Sequence, residues 1–135
     1  MNWKYVKPLK SEDLISEFEK AQNIEFPESF NELVRINNGG RPEKDIFDTD
    51  AAKERTIKSF LSFNKEDRET VWKIADWNED VLKDAYVAFG IDNFGDLICF
   101  KKSDLSVIFL DTESVNEEMI ADDFSAFIDK LYADQ

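Results

Sequence analysis

The chain has 135 residues, of which 42% are hydrophobic and 12 are Phe, so it is long enough and apolar enough to form a hydrophobic core. Its net charge of −13 disfavours binding to nucleic acid or to an anionic membrane. The absence of histidine excludes Ser–His and Cys–His nucleophilic pairs, and a single cysteine predicts neither an internal disulfide nor a zinc site.

The organisation of the chain is simple. It contains no internal repeat, no low-complexity tract and no linker, so we expect one domain over residues 1–135. No segment approaches the roughly 20 apolar residues of a membrane span, and no signal region follows Met1. Because Cys99 has no partner for a disulfide, these features together predict a reducing, cytoplasmic location.

Two helices are predicted near the N-terminus. The first begins at Ser11, which suits an N-cap, and ends near Gln22. The second covers residues 27–37, with Pro27 in the first turn, where a missing N–H is tolerated. The sequence Asn38-Gly39-Gly40 ends this helix, because its residues accept left-handed backbone angles. The apolar residues of the second helix share one face: Phe30, Leu33 and Val34.

Strands dominate the middle of the chain. A short strand is predicted at residues 45–49, and a longer one at residues 56–63, whose alternation gives one well-buried face. Helical spacing returns at residues 71–77. This segment ends in an acidic stretch that contains Trp77.

Three strands joined by short turns predict an antiparallel meander at residues 87–91, 97–100 and 105–110. The middle strand is apolar on both faces, so it should be central and covered, or present half of its surface to a partner. A final helix begins at Asp122 or Asp123 and carries an apolar stripe. The predicted fold is therefore α+β: an antiparallel sheet with a central meander, against which the N-terminal helical hairpin and the C-terminal helix pack.

Carboxylates are the remaining candidates for catalysis or metal binding. Asp48 with Asp50, or Asp92 with Asp96, would offer oxygen ligands to Ca²⁺ or Mg²⁺, although neither pair matches an EF-hand loop. For the second pair, a hairpin turn around Gly95 with Asx-type hydrogen bonds is the favoured interpretation. We predict no catalytic residue, no metal and no cofactor, and an enzyme or metal-binding module stays the third hypothesis.

The negative charge is concentrated late in the chain. Residues 76–135 contain 15 acidic and 4 basic residues, which accounts for −11 of the net −13. Such a field speeds encounters with a basic protein, although a soluble acidic surface is the plainer interpretation. Trp77 lies among carboxylates, a composition common in interfaces because aromatic anchors carry much of the energy, although packing at the edge of the core is the plainer interpretation. The candidate partner contacts are therefore acidic residues and one tryptophan: Asp76, Trp77, Glu79, Asp80, Asp84, Asp111, Glu113, Glu117 and Glu118.

The order of these pieces resembles the SUKH superfamily of Smi/Knr-type domains. The segment 24–40 has the pattern apolar-x-F-P-x-S-F, then Leu, then N-G-G, and residues 87–100 combine two apolar strands with a D-x-x-G-D turn. A strand at residues 57–63 and a Phe-rich helix at residues 123–131 complete the likeness. The residues that match the family motif have a structural role: Pro27, Asn38, Gly39, Gly40, Gly95 and Asp96.

The resemblance implies a function that the residues alone do not show. Bacterial members of this superfamily are mostly immunity proteins, each of which neutralises the toxin domain of a secreted polymorphic toxin, frequently a nuclease. The implied partner is a basic toxin, bound through an acidic surface. The alternative is an intracellular scaffold or regulator related to fungal regulators of cell-wall synthesis. Neither the sequence nor the resemblance indicates an oligomeric state.

Overall fold

Short helices and antiparallel strands follow one another along residues 1–134, which are the residues that this computed structural model describes. Gln135, the last residue of the predicted domain, lies outside them. The helices are α1 (Asp13–Gln22), α2 (Glu28–Asn37), α3 (Val71–Trp77), α4 (Glu79–Leu82) and α5 (Phe124–Lys130). The strands are β1 (Trp3–Lys4), β2 (Arg41–Pro42), β3 (Ile46–Phe47), β4 (Arg55–Thr56), β5 (Ser59–Phe60), β6 (Tyr86–Ile91), β7 (Leu97–Lys101), β8 (Val107–Leu110) and β9 (Glu117–Ala121).

A five-stranded antiparallel sheet in the order β5-β6-β7-β8-β9 forms the centre of the fold. Strands β6, β7 and β8 are the predicted meander, and β7 is the middle strand, as its sequence indicated. Consecutive residues of β7 point to opposite faces, yet Leu97, Ile98, Cys99 and Phe100 are all fully buried. Both faces of the sheet are therefore covered, and the predicted α+β class is confirmed.

Phe30 of α2 holds the helices against one face of this sheet. Its ring lies 4.7 Å from that of Phe26, 5.2 Å from that of Phe100 on β7, and 5.1 Å from that of Phe124 on α5. All three pairs are edge-to-face or tilted, which are favourable arrangements for aromatic rings. The predicted packing of the N-terminal hairpin and the C-terminal helix on the sheet is confirmed by these contacts.

Three polar side chains cross the opposite face of the sheet above Cys99. The Tyr86 hydroxyl donates to a carboxylate oxygen of Glu117 at 2.5 Å, and Lys101 Nζ lies 3.1 Å from the other carboxylate oxygen. These residues belong to β6, β9 and β7, and strand register places all three on the face of Cys99. Burial raises the pKa of Tyr86 to about 12 and also raises the pKa of the Cys99 thiol.

The prediction of one strand over residues 56–63 was wrong. The segment is divided between β4, which pairs with β3, and β5, which pairs with β6. Residues on both sides of the presumed alternation are buried, including Ser62, which hydrogen-bonds to Asp67. Ser62 therefore belongs to an internal hydrogen-bond network. Its polar side chain does not indicate that this side of the segment faces solvent.

Two other elements were missed. Strand β9 adds an edge to the meander beyond β8, although its sequence starts with two glutamates. Helix α4 follows α3 after the single residue Asn78, where one acidic helix end was expected. None of the helices within residues 1–134 combines the length and the apolar character that a membrane span requires.

The motif around Asn38 joins three separate parts of the chain. The buried Asn38 amide donates to the carbonyl of Lys7 at 2.8 Å and to Ser62 Oγ at 3.0 Å. Its carbonyl oxygen accepts the backbone N–H of Phe63 at 2.9 Å. Gly39 has φ +68°, which provides the left-handed residue that the sequence predicted, and Gly40 is buried behind it.

Pro27 lies one residue before α2, whereas the sequence predicted it inside the first turn. Its carbonyl oxygen accepts the backbone N–H groups of Phe30 at 3.0 Å and Asn31 at 3.2 Å. Pro27 therefore still begins the helix, because its own missing N–H is not needed there.

We expect Asn38→Ala to lower the free energy of unfolding by about 2–4 kcal/mol, because it leaves the buried N–H of Phe63 without a partner and removes the hydrogen bonds to Ser62 and to the partly buried carbonyl of Lys7. Urea denaturation followed by circular dichroism measures this loss. Asn93→Ala, at an exposed position in the turn between β6 and β7, is the control and should change stability by less than about 0.5 kcal/mol. Equal effects of the two substitutions would contradict the joining role of Asn38.

Candidate functional site

Four of the predicted partner contacts lie together where α3 passes into α4. The Thr70 side chain caps α3 by accepting the N–H of Lys73 at 3.0 Å, and Val71 and Ile74 fix the buried side of the helix. Trp77, the last residue of α3, is left 67% exposed. The residues of this α3–α4 surface are Asp76, Trp77, Glu79 and Asp80.

The carboxylates of the α3–α4 surface are free of internal partners. Among the described residues, the side chains of Asp76, Glu79 and Asp80 make neither an ion pair nor a hydrogen bond. A pocket of about 350 Å³ adjoins them, with Trp72 and Leu82 among its lining residues. The surface thus offers an aromatic side chain, unpaired negative charge and a neighbouring concavity.

Asp84, just after α4, is already paired. Its carboxylate lies 2.7 Å from Lys102 Nζ, and this hydrogen bond holds the pKa of Asp84 below its ordinary value. The Asp84 side chain is otherwise open to solvent. A surface ion pair of this kind contributes little to stability, so a partner could replace Lys102 at small cost.

Asp111 and Glu113 lie in the loop between β8 and β9. Asp111 Oδ1 accepts the backbone N–H of Glu113 at 2.9 Å and of Ser114 at 3.1 Å, and these bonds lower its pKa. Asp111 therefore shapes the loop, while the Glu113 side chain is exposed and makes no hydrogen bond to a described residue.

Glu117 and Glu118 point to opposite faces of the sheet and are both engaged. Glu117 receives the hydrogen bonds of Tyr86 and Lys101 described above. Glu118 accepts two hydrogen bonds from Arg55, both at 2.8 Å, and its side chain is only 14% exposed. The Arg55 guanidinium also lies 4.1 Å from the centre of the Phe109 ring. Glu118 therefore has a structural role as the ion-pair partner of Arg55.

The nine predicted residues do not form one surface. Strand β6 starts next to α4 and runs away from it to the turn at residues 92–96. Asp96 Oδ1 accepts the N–H of Thr112 at 3.0 Å, which places the loop after β8 beside that turn. Asp111 and Glu113 therefore lie at the opposite end of the sheet from the α3–α4 surface.

Sequence reasoning missed the most exposed aromatic residue, Phe94. Phe94 lies in the turn at residues 92–96 and is 88% exposed, more than any other large apolar side chain described. The signal was its position between Asn93 and Gly95, since a turn sequence places its central side chains in solvent.

The carboxylates considered for metal binding take part in protein hydrogen bonds. Asp92 Oδ1 accepts the N–H groups of Phe94 and Asp96, both at 2.8 Å, which confirms the predicted Asx-type turn. Asp48 accepts the Tyr132 hydroxyl at 2.6 Å, and Asp50 accepts the N–H of Met119. Within residues 1–134, no three acidic or Cys side chains are grouped as a metal site would require.

We expect Glu118→Gln to lower the free energy of unfolding at pH 7 by about 1–3 kcal/mol, because it leaves the Arg55 charge without its partner. The hydrogen bond from Arg55 lowers the pKa of Glu118 from its ordinary value of 4.5. The contribution of the pair is therefore complete above pH 4.5 and is lost as the pH falls through the lower pKa of the folded state.

Urea denaturation between pH 7 and pH 3 measures this effect: the stability difference between the wild type and Glu118→Gln should shrink as the pH falls. Glu113→Gln, whose side chain has no described partner, is the matched control and should change stability by less than about 0.5 kcal/mol. A constant difference for Glu118→Gln across this range would show that its charge is not the stabilising feature.

Comparison with known proteins gives the family of the chain. The sequence profile of the SMI1 / KNR4 family (SUKH-1) matches residues 10–130. No curated protein matches the chain at a significant level. The match covers α1 through α5 and the whole five-stranded sheet, so the resemblance seen in the sequence is confirmed. The chain belongs to the SMI1/KNR4 family, SUKH-1.

Proposed function

We propose that this protein is a cytoplasmic, non-catalytic immunity protein, which binds and neutralises the toxin domain of a polymorphic toxin, a nuclease. Membership of the SUKH-1 family supports a role in protein–protein interaction. The net charge of −13 favours a basic partner, and nucleases are commonly basic where they hold nucleic acid. The absence of histidine supports a role that needs no chemistry of its own.

The observation that carries this proposal is the composition of the α3–α4 surface. Trp77 is two-thirds exposed on a helix whose other large apolar residues are packed, and Asp76, Glu79 and Asp80 surround it without described partners. Exposed Trp side chains act as anchors in interfaces, and a surrounding ring of polar groups excludes water from them. We infer that Trp77 enters a pocket of the toxin.

The carboxylates give this surface its specificity. Three closely spaced negative charges suit a basic groove in which a nuclease binds phosphates, so the bound immunity protein would exclude the substrate. The same charges raise the rate of encounter, because the attraction extends over about a Debye length of 8–10 Å at physiological salt. Affinity then comes from Trp77 and the packed contacts around it.

A second candidate function is an intracellular scaffold or regulator, as in the fungal branch described above. The separation of the exposed surfaces favours it: the α3–α4 surface and the Phe94 turn lie at opposite ends of β6, so two partners would fit at once. A scaffold should bind several partners with moderate affinity, whereas an immunity protein should bind one partner very tightly.

Affinity capture from a lysate of the source organism separates the two candidates. The protein is immobilised, bound proteins are washed at low and at high salt, and the retained proteins are identified by mass spectrometry. One dominant basic protein with a toxin domain, retained at high salt, supports the immunity function. Several proteins that are lost at high salt support the scaffold.

We expect the triple substitution Asp76→Lys, Glu79→Lys and Asp80→Lys to slow association with the captured toxin by more than about tenfold at low salt. The effect should shrink at high salt, because the ions screen exposed charges. Trp77→Ala should instead raise the dissociation rate, with a loss of about 2 kcal/mol in binding free energy. Surface plasmon resonance at two ionic strengths measures both rates.

A matched control makes the same change in net charge elsewhere on the surface. Glu32, Glu43 and Asp122 are exposed, and their side chains make no hydrogen bond to a described residue. Replacement of all three by Lys should leave most of the association rate intact. If both triple variants slow association equally, the negative charge acts as a whole and the α3–α4 surface has no special role.

A further inference from the structure

We propose a second protein-binding surface at the end of the sheet opposite to α3 and α4, and we assign a basic protein with an apolar pocket as its occupant. This hairpin end consists of the turn at residues 92–96 and the loop at residues 111–116. The proposal goes beyond the immunity function, because it concerns another surface and does not depend on the identity of the toxin.

Phe94 is presented to solvent by a backbone that is held in place. Phe is normally among the most buried residue types, yet this side chain is 88% exposed. Asp92 Oδ1 accepts the N–H groups of Phe94 and Asp96, so the turn is fixed from inside. Gly95 has φ +89°, and no other part of the described chain lies within 4 Å of the position that a Cβ would take there. An aromatic side chain on a fixed turn loses little conformational freedom on binding, which favours affinity.

Val115 is a second apolar residue at this end of the sheet. It is 47% exposed and has φ +59°, a backbone conformation that is rarely adopted by β-branched residues. Its N–H donates to the carbonyl of Asp111 at 2.8 Å, which keeps the loop in this conformation. Glycine would relieve the strain, so folding alone does not account for a valine here.

The turn and the loop form one surface. Asp96 Oδ1 accepts both the N–H of Thr112 at 3.0 Å and the Thr112 hydroxyl at 3.2 Å. Directly below this contact, Leu97 pairs with Leu110 in the sheet. The two loops are therefore joined side by side at the ends of β7 and β8.

The charge of the hairpin end selects the partner. Its two segments contain four carboxylates and no Lys or Arg: Asp92, Asp96, Asp111 and Glu113. The cation near them, Arg55, is already held by two hydrogen bonds to Glu118. A second copy of this chain would bring the same negative charge to the contact, and nucleic acid or an anionic bilayer would be repelled. A basic protein surface with a pocket for an aromatic ring is complementary in both respects.

Site-specific photo-crosslinking tests this assignment on the full chain. The photoreactive amino acid p-benzoylphenylalanine replaces Phe94 in one variant, Trp77 in a second and Ile36 in a third. Ile36, on α2, is 75% exposed and is the matched control for an exposed apolar residue away from both surfaces. Each variant is irradiated in a lysate of the source organism, and the adducts are identified by mass spectrometry.

We expect position 94 to give an adduct with a basic protein and position 36 to give none. The crosslinked protein, produced in recombinant form, is then titrated against the wild type and against point variants. Phe94→Ala should raise the Kd at least about tenfold, as for an anchor residue, while Ile36→Ala should change it less than about twofold. Val115→Gly should also raise the Kd, although it should stabilise the free protein because it relieves the strained backbone.

Several outcomes would overturn the proposal: no adduct at position 94, equal adducts at positions 94 and 36, or an adduct with a second copy of this chain. An unchanged Kd for Phe94→Ala would do the same. An adduct at position 77 alone would agree with the proposed immunity function and would show that the hairpin end does not bind a protein. An adduct at position 94 alone would support the hairpin end as a binding surface and would count against the α3–α4 surface.

Discussion

The buried amide of Asn38 is the interaction on which the arrangement of the chain depends. With one side chain it satisfies the backbone of Lys7, the hydroxyl of Ser62 and the backbone of Phe63, and so ties the end of α2 to two segments that are distant from it in sequence. Asn38 directly follows α2, the helix whose Phe30 packs against Phe100 on the central strand. The buried contact therefore joins the N-terminal segment, the end of α2 and the segment that follows β5.

The parts of the fold that could be predicted from the sequence were those with a repeating apolar pattern. Helices α2 and α5 each bury one continuous apolar stripe, and the middle strand of the meander buries both of its faces. The local periodicity of apolar residues is enough to identify such elements. The segment at residues 56–63 could not be predicted in this way, because Ser62 is polar and buried. Strand β9 was not predicted, because its glutamates have weak strand propensity. In the structure, pairing with β8 outweighs that propensity.

Prediction of the candidate site was limited in a different way. Asp76 and Glu118 look alike in sequence, but Glu118 is bound by Arg55, which lies 63 positions earlier, whereas Asp76 has no described partner. Such pairing over long separations is set by the tertiary fold. Family membership supports a general role in protein–protein interaction, while the exposed residues Trp77 and Phe94 are the anchors that we propose for the two binding surfaces.

The location of Cys99 gives the protein a built-in reporter of its own opening. The only thiol of the chain lies on the central strand, fully buried beneath the bridge formed by Tyr86, Lys101 and Glu117. A thiol reagent reaches it only after the structure over Cys99 opens, so the rate of labelling reports this opening without any added probe. Tight binding of a partner at either end of the sheet would slow this labelling, even though neither surface touches the cysteine.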